Sequence, residues 1–86
     1  MLKVGDSVIY TDPMRNDHAA LVQTVWTQDM VNVVFVSADE RKQDQYGRQI
    51  EHETSVGRYN SETNCYGRCF RDPGTDATFK PSPYET

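Results

Sequence analysis

Met30-Val31-Asn32-Val33-Val34-Phe35-Val36 is the densest apolar run of the chain, and the fold is read outward from it. Its valines and phenylalanine favour extended backbone, and so continuous a run predicts a strand buried on both faces. Just upstream, residues 18–26 read HAALVQTVW. As a strand, this stretch puts Ala20, Val22 and Trp26 on one face and Ala19, Leu21 and Val25 on the other. HAALVQ also contains fair helix formers, but the β-branched run that follows decides for strand. Thr27-Gln28-Asp29 is a polar break of hairpin length between the two. Further back, Gly5-Asp6 leads into Val8-Ile9-Tyr10, and Thr11-Asp12-Pro13 ends that segment with a turn.

Downstream the character changes. Residues 37–48, SADERKQDQYGR, are strongly polar and carry no apolar stripe that would hold a helix against a core. They read as a long functional loop or a short helix ending near Gly47, with a tight turn at Tyr46-Gly47. Weaker strand signals return at Arg48–His52 and Thr54–Tyr59, followed by a polar loop at 60–64. Tyr66–Arg71 reads as a last strand, stopped by Asp72-Pro73-Gly74. Several short strands at close spacing predict an all-β fold, a small antiparallel SH3-like barrel over 1–74. The proline-containing stretch 75–86 reads as a C-terminal arm or flexible tail.

Composition bounds the function. Eighty-six residues make one small domain, with 36% apolar residues to build a core. Thirteen acidic against nine basic residues give a net charge of -4, which argues against bulk nucleic-acid binding. No apolar stretch reaches the ~18 residues that span a membrane. Residues 1–10 lack the longer apolar core of a secretion signal, so an intracellular setting is expected.

Cys65 and Cys69, in NCYGRC, invite three readings. One is a zinc site completed by His18 and His52, since C-x3-C is an allowed ligand spacing. The second is a cross-strand disulfide. The preferred reading is a pair of reduced, half-buried cysteines, with no metal and no cofactor. His52 lies between Glu51 and Glu53, either of which could orient it as a base for Cys65 or Ser55. Nothing else frames an oxyanion hole, so a non-catalytic protein is expected, with His52 an exposed strand residue paired with its glutamates.

Trp26 and Phe35 sit in the most apolar strands and read as core. Tyr46 stands in a polar loop beside Gly47 and Arg48. It reads either as a stacking face for a planar, nucleotide-like ligand or as a turn tyrosine lying over the barrel's side. The basic residues 41–71 are interleaved with acids, which usually means a solvated face of weak ion pairs. Convergence of the arginines in space would instead make an anion site. The candidate ligand-binding set is therefore Asp44, Tyr46, Arg48, Gln49, His52 and Arg58.

One resemblance covers roughly residues 4–74. It rests on Gly5-Asp6-Ser7-Val8, His18–Val22, Val31–Val34, Asp44–Ile50, Thr54–Val56, Gly67–Phe70 and Arg71–Pro73. Through these motifs the chain resembles a group of small, largely uncharacterised proteins of tailed phages and prophages with an SH3-like barrel. It departs from them at Tyr66-Gly67, where the group has His-Gly, and at Cys69. The resemblance implies a phage origin and a barrel, and no activity. In that setting two classes are expected. The first is an accessory protein in the host cytoplasm that sequesters a nucleotide-like host signal, an anti-defence role, or regulates a host protein. The second is a virion component for capsid decoration or head-tail joining, with the tail as a tie. A homo-oligomer fits either. A nucleic-acid regulator is disfavoured by the pI near 4.9 and by the lack of a glycine-punctuated loop after the first strand.

Overall fold

A computed structural model describes residues 1–63 and 67–79. Seven strands form: β1 (Ser7–Thr11), β2 (Asp17–Thr27), β3 (Met30–Val36), β4 (Gln43–Asp44), β5 (Gly47–Arg48), β6 (Ile50–Arg58) and β7 (Cys69–Arg71). Five of them close a barrel in the order β1-β2-β3-β6-β7, while β4 and β5 pair only with each other. No helix occurs among the described residues. The architecture is an all-β small barrel, compatible with the SH3-like type.

The pairing departs from a fully antiparallel barrel at one seam. β6 and β7 run parallel, with Gly57 opposite Cys69 and Arg58 opposite Phe70. Parallel neighbours cannot be joined by a tight hairpin. β6 ends at Arg58 and β7 begins at Cys69, a separation longer than a hairpin turn.

Strand alternation sends Val8 and Tyr10 of β1, Ala20 and Val22 of β2, and Val31, Val33 and Phe35 of β3 inward, where Val56 and Phe70 complete the core. Only one face of β3 is buried: Val36 is 54% exposed, against the expectation of burial on both faces. A single closed barrel has one interior, so alternate residues of even a valine-rich strand must face outward.

Two irregularities decide which residues look inward. The β2–β3 register shifts between Val22 and Thr24 and again before Thr27. Such bulges change which face the next residues occupy. Val25 therefore packs against the core, whereas Trp26, expected inside, is 61% exposed and donates its indole N–H to Asn32 Oδ1 at 2.8 Å. On β6, Val31 faces Val56 but Val33 faces Glu53, so one extra residue sits in β6. Ser55 absorbs it with φ 53° and donates its backbone N–H to the same Asn32 Oδ1 at 2.9 Å. The two weak strand signals at 48–52 and 54–59 are thus one strand, bulged in the middle. The bulge lets Glu51 and Glu53 on one side of it, and Val56 on the other, all face the interior.

The polar stretch 37–48 resolves into a coil and the β4–β5 hairpin, not a helix. Ser37 N–H donates to Gln49 O at 2.8 Å and Gln49 N–H to Lys42 O at 3.1 Å, closing the excursion at its base. Beyond β7, residues 75–79 lie back on the barrel. Tyr59 donates its hydroxyl to Thr78 O at 2.9 Å and accepts from Thr78 N–H at 3.1 Å, and its ring meets Phe79 edge-on at 5.3 Å.

Candidate functional site

The described concavity that gathers the most chemistry is a cleft of about 510 Å³ at one open end of the barrel. It is built from the β1–β2 turn outward. Asp12 Oδ1 accepts the backbone N–H groups of Met14 and Asn16, both at 2.9 Å, which fixes the turn. Its other oxygen meets His18 Nε2 at 2.8 Å. Facing an ionised carboxylate, that nitrogen carries the proton. Gly67 holds the turn from behind with φ +103°, so close that a Cβ there would stand 2.5 Å from the Asp12 carbonyl oxygen.

The floor is aromatic and apolar. Tyr10 and Phe35 stack with centroids 5.1 Å apart, and His18 lies 4.7 Å from Phe35 and 5.9 Å from Tyr10. Met14, Pro13 and Ala38 extend the apolar lining. The walls are charged. Asp39, Glu51 and Glu53 line them together with Lys42, which pairs with Glu51, and Glu53 pairs with Arg68 at 3.5 Å. Among the described residues lining the cleft, four carboxylates (Asp12, Asp39, Glu51, Glu53) stand against one ammonium, Lys42.

These groups perturb one another. Burial, then the negative charge of Glu53, pushes the Tyr10 hydroxyl up to about 12, so it stays a neutral donor at ordinary pH. Burial pushes the Asp12 carboxyl up as well, but the hydrogen bonds from His18, Asn16 and Met14 outweigh it and hold that carboxyl below the usual range. The hydrogen bond from Lys42 holds Glu51 low, and the one from Arg41 does the same for Asp39. The site therefore presents ionised carboxylates beside a neutral Tyr10 hydroxyl.

The six residues proposed from sequence do not converge. Asp44 organises the β4–β5 turn by accepting Tyr46 N–H at 2.8 Å, and Tyr46 is 88% exposed, standing clear of the barrel's side. Arg48 turns back to the carbonyls of Ala38 and Ser37 at 3.0 and 3.4 Å and lies 3.8 Å from Glu40. Gln49 contributes its backbone to the hairpin base. His52 is exposed on the outer face of β6, with Gln23 Oε1 3.3 Å from its Nδ1. Its neighbours Glu51 and Glu53 alternate to the opposite face, so it is not paired with them. Arg58 lies six residues further along β6, about 20 Å at the rise of a strand. There it donates to Gln28 O at 2.7 Å, pairs with Asp29 and Asp72, and covers the Phe70 ring at 4.8 Å. The interleaved charges are the expected ion pairs, each arginine of the set having an acidic partner.

Sequence reading missed the cleft because its members come from residues 10–18, 35–42 and 51–53. The available signal was the i, i+2 pair Glu51 and Glu53 on a strand, which must share a face. Of the residues considered for zinc, His18 faces the cleft and His52 the outer surface, Cys69 is buried in the core, and Cys65 lies outside the described residues. Among the described residues no group of three or more His, Cys, Asp or Glu is placed to hold a metal ion. No helix among the described residues is long and apolar enough to cross a membrane. No family model, curated protein or solved structure matches the chain.

Proposed function

We propose that this protein is a non-catalytic binding module and that its ligand enters the cleft at the barrel mouth. One observation carries the reading. The mouth combines a concave volume, an apolar aromatic floor and a few oriented polar groups, which is the composition of small-molecule and side-chain sites. A His–Asp pair alone is not a catalytic set, and no serine, threonine or cysteine lines the cleft among the described residues. The resemblance to phage proteins supplies a biological setting for the proposal: an accessory protein that occupies a host molecule and so blunts a defence signal.

A second reading keeps a nucleotide-like ligand on the hairpin, favoured by one specific observation, the fully presented Tyr46 ring. Against it, Arg48 is already engaged by Glu40 and two carbonyls.

Thermal melting against a panel of nucleotides, ADP-ribose derivatives, amines and amino acids separates the two. The expected result is a ligand-induced rise that disappears in Glu53→Lys and survives in Tyr46→Ala. A rise lost only in Tyr46→Ala moves the site to the hairpin. A flat panel, with no rise either from a host-cell small-molecule extract, overturns the small-ligand reading and leaves a virion or protein-partner role.

A further inference from the structure

The sign and layout of the mouth say what kind of ligand suits it, granted the reading that the mouth is the binding site. Of its four carboxylates, Asp39 is paired with Arg41, Glu51 with Lys42 and Glu53 with Arg68, so every one of these cations is already engaged and a nucleotide phosphate finds no uncommitted partner among them. The Phe35 ring below the carboxylates, with Met14, Pro13 and Ala38 lining the rim, accepts a hydrocarbon stem.

An ammonium on an alkyl stem already sits in this cleft. Lys42 reaches Glu51 from the polar coil, and the pair is within solvent reach, with the lysine side chain 51% and the glutamate 27% exposed. Exposed ion pairs of this kind hold weakly and exchange readily. The coil at Lys42 is held by backbone bonds, Lys42 N–H donating to Asp39 O and Lys42 O accepting from Gln49 N–H, so the side chain can leave Glu51 without disturbing it.

We infer that the mouth takes an alkylammonium group, which displaces Lys42 Nζ from Glu51 and lays its methylenes on the Phe35–Met14 floor. Glu51 exchanges one ammonium partner for another, the Lys42 head returns to water, and the incoming stem gains apolar contact with the lining. The alkylammonium could belong to a free polyamine or to a lysine side chain of another protein; the chemistry recognised is the same.

Removing a positive residue, Lys42, must then strengthen binding of a cation. Amide chemical shifts of the intact protein, followed during titration at low salt, test it. The probes are spermidine, a lysine capped at both ends, and AMP, applied to the wild type, Lys42→Met and Glu51→Gln. Spermidine or the capped lysine is expected to move the amides of Met14, His18, Glu51 and Glu53. Binding should tighten about two- to fivefold in Lys42→Met and weaken by a similar factor in Glu51→Gln, the range of one exposed ion pair. Which of the two cations binds identifies the source. Shifts from AMP that vanish in Lys42→Met would overturn the cation inference and leave the mouth standing as a site. Shifts spread over the whole acidic surface and indifferent to both substitutions would overturn it too, as would no shift with any probe. Both substituted side chains are outside the core, so well-dispersed spectra are expected from each variant.

Discussion

Tyr10 and Tyr46 occupy chemically similar neighbourhoods and opposite physical states. Each has aspartate, glycine or arginine close by in sequence or space. Yet Tyr10 is 1% exposed on the floor of a cleft, and Tyr46 is 88% exposed at the tip of a two-residue hairpin. The mouth is made by long-range pairing, Tyr10 opposite His18 on β2 and both against Phe35 on β3. The hairpin is made locally, by Asp44 capping its own turn. Long-range pairing fixes the positions of several side chains at once, because each is held by a different strand. A local turn fixes only itself. For this reason the mouth, not the residue-rich hairpin, holds several side chains in a fixed mutual geometry.

Unfolding measurements on paired variants would break that contrast or sharpen it. The largest effect is expected at the floor. Phe35→Ala removes a buried ring from a stack of three and should cost about 3–5 kcal/mol in denaturant unfolding, enough to unfold much of a domain this small. Tyr46→Ala should stay within about 0.5 kcal/mol of the wild type. Comparable losses at the two sites would mean that the hairpin is packed in solution.

Next come two glycines with the same backbone sign. Gly67→Ala meets the Asp12 carbonyl oxygen at 2.5 Å while φ is +103°, whereas Gly47→Ala, at φ +116°, meets nothing within 4 Å. The first should cost more than about 2 kcal/mol, the second about 1, the strain of positive φ alone. Equal costs in chemical denaturation would mean that the turn carrying Asp12 yields, and that the mouth is softer than its geometry.

A smaller effect is expected in alkali. Tyr10 has its pKa raised in the folded state, so folding favours its neutral form. The associated stability is fully present below about pH 10, the ordinary tyrosine value, and is lost as pH rises through about 12. About 2 kcal/mol should disappear across that window, and Tyr10→Phe should remove this dependence.

The smallest change lies on the acid side. The Asp12 carboxyl is held low in the folded state, so its contribution is present above the ordinary carboxylate range, near pH 4, and is lost as pH falls through the lower folded value. Asp12→Asn should therefore flatten the acid limb of stability below about pH 4, by on the order of 1 kcal/mol, as followed by melting temperature against pH. A wild-type acid limb unchanged in this variant would assign it to other carboxylates, such as Asp17, which the hydrogen bond from Arg71 also holds low.

The sequence by itself determined a good deal. The run 30–36 is β3 to the residue, because valine density and the flanking polar breaks act locally. The Thr11-Asp12-Pro13 stop, the 27–29 break and the Asp72-Pro73-Gly74 stop all fall where strands end, since turn chemistry is carried by the residues in the turn. Tertiary structure decided the rest. The bulges at 22–27 and at Ser55 are set by pairing with β3, and they alone turn Trp26 outward and bring Glu51 and Glu53 in line with Val56. The parallel β6–β7 seam belongs to barrel closure, which no single segment encodes. The cleft could not be read along the chain because its acids, its imidazole and its lysine are brought together only when β1, β2, β3 and β6 curve around one interior. Charge pairs and side-chain facing depend on register, and register is a property of two strands, not of one sequence segment.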